Sequence, residues 1–209
     1  MYGRFAQAYA HEDLQSMYNP ISTSRPLQRT QPVRPKQNVG VVMEKDSQIA
    51  YRQMRWGLIP GWWRDNPDTV PLALYADSET IDTKRMFRNA FFRKRCIIPA
   101  SCFFGWSVSG RVENKWKIFS KEGRLLSFAG VYEIWLDKEI GKSVWSCAVI
   151  TSNANRYLQS FQERMPAILG QDDWKSWLSE PNNDLLIPNE EVELAVSSVA
   201  TVRSRYRPA

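Results

Sequence analysis

Between residues 96 and 151 the chain runs through four strand-like segments in succession: 96–106, 116–119, 125–136 and 144–151. Gly110, Gly123 and Gly141 separate them. Apolar and aromatic runs of this length, divided by turn signals, have few ways to satisfy their backbone other than pairing with one another. The segments 39–43 and 49–59, on either side of Glu44-Lys45-Asp46-Ser47, read as a further hairpin, and 194–202 as a last strand. The expected frame is therefore a mixed, mostly antiparallel β core.

Helices are short and scattered in this reading. His11 to Tyr18 carries acidic Glu12 and Asp13 in its first turn. Ser78-Glu79-Thr80 opens a helix expected to reach Lys94, with Ile81, Met86, Phe87, Ala90 and Phe91 at near-helical spacing. The bases Arg93, Lys94 and Arg95 suit the negative end of its dipole better than they suit a nucleic-acid patch. Asn153 is placed to cap a short helix carrying Tyr157, Leu158 and Phe161, and Asp172 or Asp173 one carrying Trp174, Trp177 and Leu178. Residues 19–37 hold Pro20, Pro26, Pro32 and Pro35 among four bases and read as an irregular loop. Residues 203–209 read as a basic tail. No repeat or linker divides the chain, so 1–209 is expected to form one domain.

The run Arg55-Trp56-Gly57-Leu58-Ile59-Pro60-Gly61-Trp62-Trp63 is a strand feeding a Pro-Gly turn. Adjacent residues of an extended chain point to opposite sides, so Trp62 and Trp63 share one core face only where the chain bends. Either both cover the lip of the core, or one stands out beside basic residues as a stacking platform for unpaired bases. A net charge of +6 and a pI near 9.3 are compatible with an anionic partner without requiring one. Cys96, Cys102 and Cys147 are odd in number and match neither a disulfide framework nor a metal motif. His11 is the single histidine. No run approaches the roughly 18 apolar residues of a membrane span. These features predict a cytoplasmic protein with no metal and no cofactor.

Six separated blocks then line up with one family. Met1-x-Gly3-Arg4-Phe5-Ala6 resembles its MCGRFA start, and Arg55 to Trp62 its RWGLIPxW block. Ala76-x-x-Glu79-Thr80 with Met86-Phe87 resembles INARxET and the FR that follows. Arg95-Cys96-Ile97-Ile98-Pro99-Ala100-x-x-Phe103-x-x-Trp106 resembles RCLIPADGFYEW. Phe128-Ala129-Gly130-Val131-Tyr132-Glu133-x-Trp135 resembles FAGLWExW, and Arg164 to Leu169 the RMPVIL block. The family is that of the SOS-response-associated peptidases (SRAP). The resemblance implies a single compact α+β domain with a strongly bent, barrel-like, mostly antiparallel β core and short peripheral helices. It also implies recognition of abasic sites in single-stranded DNA. There the amine and thiol of a second-residue cysteine close a thiazolidine on the sugar aldehyde, assisted by an asparagine, a glutamate and a histidine.

Carried over residue by residue, those chemical positions are substituted. The cysteine falls on Tyr2, the asparagine on Tyr75, the glutamate on Gly105 and the histidine on Gln162. A phenol has no sulfur for a thiazolidine, and an amide moves no proton near neutral pH. Asp77 stands at the INAR arginine. No catalytic position is intact, so the chain is expected to be a family member without cross-linking chemistry. Its expected partner is single-stranded or abasic DNA, bound non-covalently through Arg4, Trp62, Trp63, Arg85 and Phe87. For Phe87, core packing is an equal alternative. Two other readings stand beside this one. The first is residual Schiff-base, lyase-type chemistry through the Met1 α-amine, with Cys102 as a displaced thiol or Glu163 as a stand-in acid. The second is a protein-interaction role, with the groove closed by Tyr2 and Tyr75.

Overall fold

The structure, a computed structural model, describes residues 4–22, 26, 30–109, 112–137 and 141–199. Strand β1 (Phe5–Ala6) precedes helix α1 (His11–Tyr18), β2 (Ile21–Ser22), β3 (Asn38–Lys45), β4 (Gln48–Trp56) and β5 (Tyr75–Asp77). Helix α2 (Arg88–Arg93) leads into β6 (Arg95–Ala100), β7 (Cys102–Ser109), β8 (Val112–Ser120), β9 (Leu126–Leu136) and β10 (Ser143–Asn153). Then come β11 (Arg164–Pro166), β12 (Ile168–Leu169), helix α3 (Trp174–Ser179), a 3-10 turn (Asp184–Leu186) and β13 (Leu194–Val199).

Strands β10, β4, β3, β6 and β9 pair in that order, and β9 pairs back to β10, so five strands close into a barrel. Asp46 (φ 51°) and Ser47 (φ 60°) make the tight turn between β3 and β4, with the left-handed backbone that matches strand twist. The closing seam is short and parallel, Ser146 with Arg55 and Cys147 with Trp56. Closure removes exposed edges, and a barrel this small is filled by its own side chains. Val39, Val41, Met54, Trp56, Cys96, Ile98, Phe128 and Val149 fill it. Alternate residues of the same strands, among them Val42, Tyr51, Ile97, Val131 and Ile150, face outward and are covered by Leu14 and Tyr18 of α1, Phe91 of α2 and Trp177 of α3. Burial on both faces explains why β9 reads as a continuous apolar run rather than an alternating one.

A second sheet, ordered β1-β7-β8-β13, lies across one end of the barrel. Phe103, Ile118 and Leu194 of this sheet join the barrel interior. Fully buried Gln7 ties the two sheets together. Its amide nitrogen donates to the carbonyls of Gly40 (2.9 Å) and Pro99 (2.8 Å), and its oxygen accepts from the Gly40 amide (2.7 Å). Gly40 is needed there, because a Cβ would lie 2.0 Å from the Tyr51 hydroxyl.

Several expectations change. The helix read over 78–94 is α2 alone, preceded by turns that begin where the Thr80 amide bonds the Asp77 carbonyl (3.1 Å). The chain before it is held by strand β5, and the Ser78 amide bonds Thr151 (2.8 Å), which leaves little length to coil. The run 96–106 breaks at Ser101, whose amide and hydroxyl both reach the Ala6 carbonyl as the chain changes sheets. Asn155, not Asn153, accepts the Leu158 amide (3.0 Å), and turns replace the helix there. Residues 19–37 contribute strand β2 beside β4 and a fully buried Val33. The tail at 203–209 lies outside the described residues.

Arg95 does what the basic end of a helix was expected to do, and for two helices at once. Its guanidinium donates to Phe91 (2.8 Å) at the end of α2 and to Trp177 (2.8 Å) and Leu178 (3.2 Å) in the last turn of α3. Among the described residues no helix is long and apolar enough to cross a membrane.

Candidate functional site

Strands β1, β5, β7, β10 and β11 converge at one mouth of the barrel, where Arg4, Tyr75, Phe103, Thr151, Gln162 and Arg164 line a cavity of about 20 Å³. That is room for about one water molecule. Gly105 faces this space. A Cβ on it would lie 1.8 Å from the Gln162 amide oxygen, so the amide occupies the volume a side chain at 105 would enter. Tyr75 packs edge-on against Trp56, ring centroids 5.6 Å apart. Burial pushes its phenol well above the ordinary value, against a weaker opposing pull from Arg4. Of the four substituted positions, Tyr75, Gly105 and Gln162 meet here; Tyr2 and Met1 lie outside the described residues.

Trp62 and Trp63 part company. The chain does bend, the Trp63 amide bonding Pro60 (2.9 Å). Trp63 packs on Ile59, Val70 and Trp135. Its indole donates to Asn66 (3.1 Å), and its carbonyl accepts from the Trp135 indole (2.9 Å). Trp62 is half-buried and carries the exposed Arg85 guanidinium 4.3 Å from its ring centroid. Phe87 resolves toward packing. At 6% exposure within the helix-covered core it has no free ring face for a base.

The family model described as SOS response associated peptidase (SRAP) matches residues 1–203. The chain belongs to the SRAP family. It is 32% identical to the abasic site processing protein YoaM of Bacillus subtilis, over 97% of this chain and 92% of that protein. With YoqW of the same organism, also called an abasic site processing protein, it shares 33% over 88% of this chain and 83% of that one. A crystal structure of a Bacteroides thetaiotaomicron protein superposes with a TM-score of 0.82 at 24% identity, covering 96% of this chain and 92% of that one. A Bordetella bronchiseptica protein gives 0.82 at 20%, over 96% and 100%. These two likenesses show the fold.

In SRAP terms, the INAR arginine position holds Asp77, and the pocket rim is organised by an ion cluster that sequence reasoning missed. Arg164 grips Glu79 with both nitrogens (2.5 and 2.9 Å) and stands 3.5 Å from Asp77, which Lys84 also meets (3.0 Å). Hydrogen bonds from Arg164 hold the Glu79 carboxyl below its ordinary range. Both residues sit in blocks quoted for the resemblance, yet 85 positions separate them, and only the pairing of β10 with β5 and β11 joins them. The arrangement anchors one cation to acids rather than leaving it for phosphate. Arg4 and Arg85 remain exposed at the surface.

The remaining candidates lie apart from the cavity lining. Cys102 is buried with Ala6 and Phe104, and burial pushes its thiol up, away from the reactive thiolate. Glu163 is exposed and is not part of the cavity lining. His11 is exposed on α1, 3.4 Å from the Gln15 amide. Among the described residues, no three His, Cys, Asp or Glu side chains gather as a metal site would require.

Proposed function

We propose that this chain is an SRAP protein that binds single-stranded or abasic DNA without covalent capture. The observation that carries this reading is the Gln162 amide seated against Gly105 in a cavity with room for about one water. With the Gln162 amide in that position, the space does not hold a ring-opened sugar. No thiol stands at the second residue, and no carboxylate or imidazole stands at 105 or 162. Binding itself is supported by relatives named for abasic site processing, by a net charge of +6, and by Arg4 and the Trp62–Arg85 pair left on the surface.

Two measurements on the full chain test the reading. Anisotropy of a labelled single-stranded oligonucleotide is expected to show binding at low salt that weakens as salt rises. Its loss in Trp62→Ala with Arg85→Ala identifies the Trp62–Arg85 pair as part of the binding surface. A denaturing gel of the protein incubated with an abasic oligonucleotide is expected to show no adduct. A spontaneous adduct would overturn the loss of chemistry, and one trapped only by borohydride would replace it with the Schiff-base reading. Absence of binding at low salt would sink the proposal.

A further inference from the structure

Strand β7 turns its two sides to different surroundings. Phe103 and Gly105 look toward the barrel and the filled cavity, while Phe104 and Trp106 look the other way. The register of the four-stranded sheet sets out that other face in three ranks. Ala6, Cys102, Phe119 and Ala195 lie abreast. Next come Arg4, Phe104, Lys117 and Ser197, with the Phe104 amide bonded to the Arg4 carbonyl (2.7 Å). Then come Trp106, Lys115 and Val199.

The apolar cluster on this face consists of Ala6, Cys102, Phe104, Trp106, Phe119 and Val199, all from the strands of the sheet itself. Among the described residues no helix residue joins it, in contrast to the outer face of the barrel, which three helices cover. Lys115 and Lys117 lie across its rings, each 5.5 Å from a centroid, over Phe104 and Phe119. Trp106 and Phe119 are half-exposed, and Lys117 is exposed. Among the described residues these three ranks hold three cations and no acid. Ala6, Cys102 and Phe104 are buried at its centre, and the half-exposed Trp106 and Phe119 stand between cations at its margin. Accessible rings between cations are how single strands are held without sequence preference: bases stack on rings, and phosphates meet the charges.

We propose that the outer face of this sheet is a binding platform for unpaired polynucleotide. Trp106 and Phe119 serve as stacking surfaces, and Lys115 and Lys117 as phosphate contacts. Arg4 makes the platform continuous with the cavity mouth, because it lines that cavity while standing in the second rank. The strand thus crosses the closed pocket and continues over β7 and β8. The inference rests on the reading of the chain as a DNA-binding protein.

The test is a titration of the full chain with a fluorescein-labelled oligothymidylate of about 20 nucleotides, a length that covers one or two sites of this class, over a range of salt. Lys115→Ala with Lys117→Ala is expected to weaken binding about tenfold at low salt. It should also flatten the slope of log K against log salt by ~1.4, two contacts at about 0.7 each. Trp106→Ala is expected to cost fivefold or more with the slope unchanged, as stacking carries no counterion release. The lysine pair sits on the surface, so its variant keeps the test valid even where Trp106→Ala fails to fold. An unchanged affinity and slope in the lysine variant, while Trp62→Ala with Arg85→Ala loses binding, overturns the platform and leaves the proposed function standing. A wild-type chain that binds no strand at low salt overturns both.

Discussion

Gly40 and Gly105 are two glycines with no room for a Cβ, and they differ in what fills the space. Over Gly40 it is fully buried Tyr51 in the covered wall of the barrel, its hydroxyl 2.0 Å and its ring 2.6 Å from where a Cβ would be. Over Gly105 it is the amide end of Gln162, half-buried at the open mouth, at 1.8 Å. The distances are alike and the consequences are not. A ring held on all sides cannot step aside, whereas the far end of a flexible side chain can turn toward solvent. The frame of this protein is rigid where it closes on itself. The pocket at its mouth is filled by something that can be moved. Closure and burial hold the barrel without help from the site, so residues at the mouth can vary while the frame stays.

The strongest way to break the comparison is Gly40→Ala. Overpacking against Tyr51 is expected to cost about 1–3 kcal/mol, read as a lowered urea midpoint with an unchanged slope. A loss no larger than that of Gly105→Ala would mean the frame yields as readily as the pocket. Gly105→Ala itself is expected to cost less than about 1 kcal/mol, the part attributable to Gln162. Adding Gln162→Ala should recover most of it, and a double variant as unstable as the single would exclude the amide as the occupant.

A smaller effect comes from the pocket rim. The Glu79 carboxyl is held below its ordinary 4.5 chiefly by hydrogen bonds from Arg164. A carboxylate depressed in the folded state stabilises fully above the unfolded value and ceases to do so as pH falls through the folded one. With the side chain nearly half exposed, solvent screening keeps the contribution under about 1 kcal/mol. Glu79→Gln should therefore lower the urea midpoint slightly at neutral pH, and the difference should close as pH drops below 4.5. A gap that stays constant with pH would show that Glu79 acts through packing alone.

Much of this was legible in the residues. The strand runs between 96 and 151, the hairpin at 44–47 and the helix through Trp174 are present close to where alternation and turn residues place them. The family blocks were legible too, and Tyr75, Gly105 and Gln162, which stand at substituted positions of those blocks, are neighbours in space. What failed did so for identifiable reasons. The periodicity over 78–94 spans a stretch whose start is paired to β10, so tertiary pairing overrode local propensity. Helical spacing could not separate a buried Phe87 from an exposed one, since both look alike along the chain. Trp62 and Trp63 are equal in sequence; a bend at Pro60 and the neighbouring Trp135 and Arg85 made one a lip and the other a cation's partner.

Composition, alternation and ordered motifs by themselves determined that this is a β-rich SRAP chain with tyrosine at its second residue. These are properties of residue type and order, and they survive any arrangement in space. The tertiary structure alone decided that five strands close through a two-residue parallel seam. It also decided that Arg164 belongs to Glu79, and that Gln162 fills the hollow at Gly105. Each of these joins groups tens of residues apart. Such pairings are settled by which surfaces the packed core brings within a few ångströms, and no local pattern encodes that distance.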